Sequence, residues 1–363
     1  MKMKIKKILI ATGGTGGHIF PSLSLAKFLS KSYDLKIVSD KRGIKFLPSE
    51  VYKNTIIINS GTIFGKNFLS TFFELFKIIS AFIYSICYLI YSRPKLIIGM
   101  GGYSSFPVCV AGYLLRIPLI IYENNLIIGR ANKYLLPMAK RIILSTEETE
   151  GIKSKYNKRI FVCGYILKES IFNPENFQNQ SLTKNEISLL IMGGSQSAKI
   201  FGEILPSEIS KCTNHGINFK IYQQCLENQI KEVKKIYDKF NIKSELFSFS
   251  EDMVKYYKKS DLAITRAGAS SLAELINLKI PFIAIPLPSA ADNHQFLNAN
   301  YFNKKGYCFL LEEKFITDRL QKILIDLYKN KNKLFVIKEK MSKHSDKDTF
   351  IKIEKLIEET FNE

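Results

Sequence analysis

Short apolar runs, many of them β-branched, recur along the chain and are separated by stretches with helical periodicity. A first set lies at residues 5–11, 35–39, 55–59, 96–100, 119–122 and 141–145. A second set lies at residues 187–192, 219–222, 245–249, 262–265 and 281–285. Buried parallel strands joined by crossover helices produce this alternation. The pattern therefore predicts an α/β protein with two doubly wound halves.

The chain length of 363 residues also suits two domains. Between the two sets lie a strand-like run at 159–163, the turn-forming Gly164 and a stretch rich in Asn and Gln at 173–180. We therefore expect a hinge near Gly164, an N-terminal domain of residues 1–163 and a C-terminal domain of residues 164–340. Apolar side chains at helical spacing predict a last helix at 349–361 that packs back on the first domain.

The first glycine-rich turn, Gly13-Gly14-Thr15-Gly16-Gly17-His18, directly follows the first predicted strand. Ligands bind beyond the carboxyl ends of strands in doubly wound sheets, and residues 19–31 read as a helix with Pro21 in its first turn. Such a turn lets the backbone approach an anion. It is not a dinucleotide motif, because Ile19 replaces the third glycine, and it lacks the Gly-Lys-Ser/Thr of a P-loop. A tight turn without a ligand is the alternative.

His18 lies at the start of that helix. The helix dipole disfavours a protonated imidazole there, so the side chain should be neutral at physiological pH, as a general base must be. A structural histidine is the alternative, although the adjoining glycines favour the catalytic interpretation.

Two further turns of this kind occur in the second half of the chain. Residues 193–199, GGSQSAK, follow a predicted strand, and their amides and the Ser195 hydroxyl could hold a diphosphate. Residues 265–271, TRAGASS, precede a helix and place Glu274 in its first turn, where the carboxylate could accept hydrogen bonds from a ribose diol. An ordinary first-turn acid is the alternative. In the polar loop at 286–295, Asp292 could be a helix N-cap.

Composition narrows the function only slightly. A hydrophobic fraction of 46% with 24% charged residues indicates a folded globular protein. The net charge of +20 suits nucleic acid, an anionic membrane or a phosphate-bearing substrate, but lysines occur along the whole chain, so compositional bias explains it equally well. The six cysteines are scattered, which predicts reduced thiols. The apolar run at 8–11 is too short for a signal peptide, which predicts retention in the cytoplasm.

Residues 68–91, FLSTFFELFKIISAFIYSICYLIY, form the most apolar segment of the chain. The part after Lys77 is shorter than a membrane-spanning helix requires, and Glu74 and Lys77 interrupt what precedes it. A spanning helix and a buried helix are both alternatives. We expect instead an interfacial helix, with Lys66, Arg93 and Lys95 near its ends.

Six segments together resemble the signature set of the MurG family, the peptidoglycan N-acetylglucosaminyltransferases. They occur in the family's order and span nearly the whole chain: GGTGGHIFP at 13–21, GGYSSFP at 101–107, YENN at 122–125, GGSQSAK at 193–199, RAGASSLAE at 266–274 and AADNHQ at 290–295. The resemblance implies a GT-B fold, in which two Rossmann-like domains face each other across a cleft. It also implies transfer of N-acetylglucosamine from UDP-N-acetylglucosamine to lipid I, the undecaprenyl-diphosphate-linked muramoyl-peptide, which gives lipid II.

The resemblance also implies roles for individual residues. The backbone near Ser250 would contact the uracil, Glu274 the ribose, Ser195 the phosphates, and His294 and Gln295 the sugar hydroxyls. The donor sugar would face Thr15, Gly16, Gly17 and Asn125. The acceptor's phosphates would lie at Gly14, Gly101, Gly102 and Tyr103.

Two positions depart from the family pattern. Residues 164–168 read GYILK where the family has Gly-Asn-Pro-Val-Arg, so Lys168 would have to supply the arginine's donor contact without its bidentate fork. Ser197 replaces a glycine in the phosphate turn.

The resemblance implies an inverting attack by the acceptor's 4-hydroxyl, and His18 is the candidate general base for it. The glycine turn at 193–194, with Lys199 or Arg266, would stabilise the departing charge. We expect no cofactor and no tightly bound metal, and the Asp-Lys-Asp at 346–348 reads as a solvated loop or a helix cap.

We expect a peripheral enzyme on the cytoplasmic face of the plasma (inner) membrane. Nucleic acid is not an expected partner. Two alternatives remain: a related enzyme with another glycolipid acceptor, and a non-catalytic nucleotide or nucleic-acid binder.

Overall fold

The computed structural model describes residues 6–14, 16–52, 55–58, 60–61, 68–173, 186–193, 198–250 and 252–363. The chain divides into two compact units, one of residues 1–168 with 346–363 and the other of residues 169–345. The division falls after Lys168, five residues beyond the boundary after Cys163 that the sequence predicts.

The first unit is built on a sheet of seven strands: β1 (Lys7–Ala11), β2 (Asp34–Ser39), β3 (Thr55–Ile57), β4 (Leu96–Gly99), β5 (Leu119–Glu123), β6 (Arg141–Leu144) and β7 (Ile160–Val162). All of its pairings are parallel, and the strand order is β3-β2-β1-β4-β5-β6-β7. Every strand predicted in this half is confirmed, with ends that differ by one or two residues. Its helices are α1 (Gly16–Leu29), α2 (Lys41–Ile44), α3 (Ser49–Tyr52), α4 (Phe68–Ser92), α5 (Ser105–Leu114) and α6 (Arg130–Leu135).

Helix layers cover both faces of this sheet because successive side chains of a strand point to opposite faces. Ile8 and Ile10 belong to a buried cluster with Leu25 of α1. Leu9 belongs to a second cluster with Leu89 of α4. The uninterrupted apolar runs of the sequence are thus explained by burial on two sides.

Only one side of α4 belongs to this core. Its stretch Phe73–Ser92 has a mean hydropathy of 1.7 and is, by length and composition, the one helix of the described residues that could cross a membrane, but only 22% of the apolar window is buried. Ala81, Ser85 and Leu89 are buried, and Glu74 lies on the same side and pairs with Lys77, 3.1 Å away. The opposite side therefore remains an exposed apolar surface.

The second unit has a six-stranded parallel sheet of β8 (Glu186–Met192), β9 (Asn218–Gln224), β10 (Lys243–Phe247), β11 (Leu262–Thr265), β12 (Phe282–Ala284) and β13 (Cys308–Leu310). Its order is β10-β9-β8-β11-β12-β13, and β13 was not predicted. The helices are α7 (Ala198–Lys211), α8 (Ile230–Lys239), α9 (Val254–Tyr257), α10 (Ala269–Asn277), α11 (His294–Lys304), α12 (Ile316–Lys329) and α13 (Asn332–Ser342). Phe201, Tyr237 and Leu324 anchor the core that joins α7, α8 and α12 to the sheet.

The chain ends in α14 (Thr349–Asn362), which belongs to the first unit. Phe350 stacks on Phe28 of α1 at a centroid distance of 4.9 Å. Just before the helix, Asp346 is buried and accepts a hydrogen bond from the Tyr165 amide at 3.0 Å. The expectation of a solvated loop or cap is therefore wrong for Asp346, because this carboxylate satisfies a buried amide.

Both sheets have the Rossmann strand order, which reverses direction between β1 and β4 in the first unit and between β8 and β11 in the second. A ligand crevice is expected at the carboxyl ends of the strands on either side of such a reversal. The glycine turns at 13–18, 193–199 and 265–271 follow β1, β8 and β11, and a fourth glycine turn, Gly101-Gly102, follows β4.

Candidate active site

The two glycine turns of the first unit pack against each other at the reversal point. Gly101 and Gly102 follow β4 and have φ values of 89° and 85°. A Cβ on Gly101 would lie 2.9 Å from the His18 imidazole, and one on Gly102 would overlap the carbonyl oxygen of Gly13. Only glycine combines this conformation with this approach. The structure thus brings Gly101 and Gly102 to His18, and Tyr103, half-buried, follows directly.

Pro21 links this turn to a third segment. Because α1 begins at Gly16, Pro21 is its sixth residue, and the prediction that it lies in the first turn is wrong. Proline has no amide hydrogen to donate to the carbonyl four residues earlier, which here belongs to Gly17. The Asn124 side chain donates to that carbonyl instead, at 3.1 Å. Because of the proline, the Gly17 carbonyl is available to accept this hydrogen bond, which connects the His18 turn to the loop after β5.

Glu123 organises that loop. This buried carboxylate accepts hydrogen bonds from the Asn125 amide at 3.1 Å, the Asn125 side chain at 3.0 Å, the Gly129 amide at 2.8 Å and the Asn132 side chain at 3.0 Å. Four donors fix the carboxylate and, through it, Asn125. Sequence reasoning singled out Asn125 but missed the residue that positions it.

Asp40, which follows β2, was also missed. Its Oδ1 accepts the amides of Gly14 at 3.1 Å and Gly43 at 2.8 Å, and its Oδ2 accepts two hydrogen bonds from Arg42. Burial alone would raise the pKa of Asp40, but the two amides and the guanidinium outweigh burial and hold that pKa below its ordinary value. Asp40 is therefore an ionised anchor for the first glycine turn.

Lys168 lies beside the same helix, with its Nζ 5.8 Å from the centroid of the Phe20 ring of α1. Thr15 and Ser195, both predicted donor contacts, lie outside the described residues, as does Ser197. Gly16 and Gly17 form the first turn of α1.

In the second unit, Gly193 follows β8, and α7 begins at Ala198. The Gln229 side chain donates to the carbonyl of Lys199 at 2.9 Å and so holds the first turn of α7. The Lys199 ammonium is exposed and lies 3.9 Å from Glu203.

Glu274 lies one turn further into its helix than predicted. Because α10 begins at Ala269, its first turn contains no acidic residue and Glu274 is its sixth. The Tyr257 hydroxyl donates to Oε2 of Glu274 at 2.6 Å. Burial, and then the neighbouring carboxylate, raise the pKa of Tyr257 well above its ordinary value, so this hydroxyl remains a donor that orients Glu274.

The Ser250 hydroxyl donates to the carbonyl of Asp252 at 3.1 Å. The contact of the Ser250 backbone with the uracil stays a prediction.

The loops after β11 and β12 are joined by Gln295. Its Oε1 accepts the amides of Ala267 at 3.2 Å and Leu287 at 2.9 Å, which leaves its amide nitrogen as the group that could meet a sugar hydroxyl. His294 Nδ1 lies 2.7 Å from the carbonyl oxygen of Ala291 and donates to it, which leaves Nε2. Asp292 does not cap α11, since Asn293 occupies the N-cap position.

The Arg266 side chain is bound to other groups of the protein. Its buried guanidinium pairs with Glu313 and donates to the Pro286 carbonyl at 3.2 Å. Burial lowers the pKa of Arg266, and Glu313 opposes that shift. Of the two cations predicted for the leaving group, Lys199 is the exposed one.

Among the described residues, no three His, Cys, Asp or Glu side chains are grouped as a metal site would require. The expected absence of a metal stays a prediction.

Comparison with known proteins decides the family. The N-terminal domain model of glycosyltransferase family 28 matches residues 8–144, and the C-terminal domain model matches residues 188–357. The UDP-N-acetylglucosamine--N-acetylmuramyl-(pentapeptide) pyrophosphoryl-undecaprenol N-acetylglucosamine transferase of Pelagibacter ubique is 38% identical over 359 residues, which cover 99% of each chain. Its namesake from Rickettsia felis is 37% identical over 342 residues, covering 90% of this chain and 92% of the relative. The crystal structure of Acinetobacter baumannii MurG superposes with a TM-score of 0.75 at 26% identity, covering 98% of this chain and 99% of that one.

The chain belongs to the MurG family. This confirms the resemblance drawn from the six segments and the prediction of two Rossmann-like domains. In this MurG-family member, His18, Gly101, Gly102 and Asn125 fall within the N-terminal family match, and the second-unit candidates fall within the C-terminal match. Lys168 lies between the two matched ranges.

Proposed function

We propose that this protein transfers N-acetylglucosamine from UDP-N-acetylglucosamine to the muramoyl sugar of undecaprenyl-diphosphate-linked muramoyl-peptide, converting lipid I to lipid II in peptidoglycan synthesis. One observation carries the proposal: the Pelagibacter relative, whose name describes this transfer, aligns with 99% of the chain at 38% identity. The strand order of both sheets supports it, because each sheet has a glycine turn at its carboxyl edge, where a phosphate group can approach the backbone.

Donor binding falls to the second unit in this proposal. The Ser250 backbone contacts the uracil, Glu274 accepts hydrogen bonds from the ribose hydroxyls, and Ser195 binds the phosphates. His294 and Gln295 contact the sugar. The hydrogen bond from Tyr257 supports the ribose role, since it holds the Glu274 carboxylate in one orientation. Lys168, Asn125, Thr15, Gly16 and Gly17 complete the donor contacts.

The reaction is a single displacement. The acceptor's 4-hydroxyl oxygen attacks the anomeric carbon, the bond from that carbon to the UDP oxygen breaks, and the configuration inverts. His18 takes the hydroxyl proton, and UDP leaves with the bonding electron pair. A base in this position contributes about 10²- to 10⁴-fold to the rate. The amino end of α7 and Lys199 stabilise the charge on UDP, so the mechanism needs no tightly bound metal.

The acceptor's diphosphate lies at Gly14, Gly101, Gly102 and Tyr103. Gly14 supports this assignment, because a Cβ there would meet no described atom within 4 Å and the backbone is therefore open to an anion on that side.

The enzyme reaches its lipid-linked acceptor by docking α4 on the cytoplasmic face of the plasma membrane. Ile79, Ile83 and Ile90 are exposed on the side of α4 opposite its buried residues. Tyr113 of α5 and Tyr134 of α6 are exposed in the same unit. A helix with one face in the protein core cannot cross the bilayer without unfolding that core, so we favour an interfacial position. The net positive charge of the chain then favours binding to anionic lipid. We expect no nucleic-acid partner.

UDP release by the purified protein tests the reaction. UDP should appear only when UDP-N-acetylglucosamine and the lipid-linked muramoyl-peptide are both present, and EDTA should not abolish it. Equal release without the acceptor would contradict the proposal, and release with a different glycolipid alone would indicate another acceptor.

A further inference from the structure

Arg42 is a cation held at the edge of the first glycine turn. Its Nε and Nη2 donate to Oδ2 of Asp40 at 3.1 and 2.8 Å. The other oxygen of the same carboxylate accepts the Gly14 amide. The guanidinium and the Gly14 backbone are therefore separated by the width of one carboxylate group, although 28 positions separate the two residues in the sequence.

The carboxylate also fixes the direction of the guanidinium. Asp40 is buried, and the Gly14 and Gly43 amides donate to its Oδ1. The carboxylate is therefore fixed in position and cannot turn toward solvent with Arg42. A guanidinium has five N–H donors, of which Asp40 receives two, which leaves three donors. The Arg42 side chain is 54% exposed, and within the described residues Asp40 is its one hydrogen-bonding partner.

A Cβ on Gly14 would meet no described atom within 4 Å, so the backbone there is open on that side. The open backbone and the oriented guanidinium lie at the carboxyl end of β1 and β2, the edge at which ligands of such sheets bind. A planar fork of donors in that position matches the oxygens of a phosphate group.

We propose that Arg42, positioned by Asp40, binds the diphosphate of the lipid-linked acceptor. This inference builds on the proposed function and adds to it a charged side chain of the first unit for the acceptor's phosphates. Asp40 acts as a positioning residue, because it contacts Gly14 and Arg42 and both of its oxygens are already engaged.

The test measures Michaelis constants for both substrates in detergent solution, where membrane docking plays no part. Arg42→Gln should raise the KM for the acceptor about 10- to 100-fold, the effect of losing a hydrogen bond between charged groups, and leave the KM for UDP-N-acetylglucosamine within about twofold. Arg42→Lys should recover part of the loss, because it restores the charge but not the fork. The matched control is Lys41→Gln, which removes the same charge from the neighbouring, exposed residue.

A short prenyl diphosphate serves as a competitive inhibitor against the acceptor at saturating donor. Its inhibition constant should rise in Arg42→Gln by the same factor as the acceptor KM. An unchanged inhibition constant would overturn the diphosphate assignment. An equal effect of Lys41→Gln would show that any lost positive charge has this effect, and would also overturn the assignment. If Arg42→Gln lowers the melting temperature and raises neither constant, the pair has only a structural role. Failure of the wild-type protein to transfer the sugar would instead refute the proposed function.

Discussion

The exposed side of α4 yields a prediction whose size can be worked out from the structure. Ile79 and Ile83 are one helical turn apart on the same face and are 47% and 55% exposed. Complete burial of an isoleucine side chain is worth about 1.5–3 kcal/mol, so the exposed half of each has about 1 kcal/mol still to gain in a membrane. Replacing both by glutamate removes about 2 kcal/mol, or about 30-fold in partitioning, before the repulsion between carboxylates and anionic lipid is counted.

The assay is sedimentation with vesicles of phosphatidylcholine and phosphatidylglycerol at physiological ionic strength. The control is Phe335→Glu with Ile351→Glu, which adds the same two charges at side chains that are 59% and 63% exposed on α13 and α14. Ile79→Glu with Ile83→Glu should weaken vesicle binding at least 30-fold, and the control should keep most of it. In detergent with a short-chain acceptor, both proteins should turn over like the wild type.

Equal vesicle binding by the wild type and the α4 variant would show that α4 does not dock on the membrane, and an equal loss in the control variant would show the same. A wild-type protein that resists extraction from vesicles by alkaline carbonate would indicate instead that α4 spans the bilayer.

Three further predictions concern single residues. His18→Ala should lower kcat by about 10²- to 10⁴-fold while UDP-N-acetylglucosamine binding, measured by calorimetry, stays the same; near-normal turnover would remove the base assignment. Glu274→Gln should raise the KM for the donor about tenfold and leave that for the acceptor unchanged, and Tyr257→Phe should give a smaller change in the same direction, since it loses only the hydrogen bond that orients Glu274. Because the pKa of Asp40 is lowered in the folded protein, its ionised form adds stability above the ordinary value of 3.8, and that stability is lost as the pH falls through the folded value. Asp40→Asn should therefore lower the melting temperature at neutral pH, and a deficit that does not shrink below about pH 4 would contradict this.

The sequence predicted the strands well because strands buried on both faces are continuous apolar runs. Strand β13 was not predicted because it has only three residues and follows the polar run Asn303-Lys304-Lys305. It also pairs only with β12, at the edge of its sheet. The start of α1 was placed too late because Gly16 and Gly17 are poor helix formers. Their helical conformation is accompanied by packing of the Phe20 ring on Gly16 and by the Asn124 hydrogen bond, which depend on tertiary structure.

The candidate site divides in the same way. Glycine turns and His18 are local signals that a reader of the sequence can find. Asp40 and Asp346 act on amides 26 and 181 positions away, so no local pattern marks them as anchors. Asp40 does share one readable signal with the glycine turns, because it directly follows a predicted strand. Polar residues at the carboxyl ends of strands in such sheets lie beside the ligand site just as the glycine turns do.

The identity of the lipid product shows whether this protein performs the proposed transfer. The purified protein is incubated with UDP-N-acetylglucosamine and the lipid-linked muramoyl-peptide, and the lipid product is examined by mass spectrometry and by NMR of the new glycosidic bond. We expect a lipid-linked disaccharide with one added N-acetylglucosamine in β linkage to the muramoyl 4-oxygen, formed by inversion of the α-linked donor. A product with an α linkage, or an acceptor recovered unchanged while UDP accumulates, would contradict it.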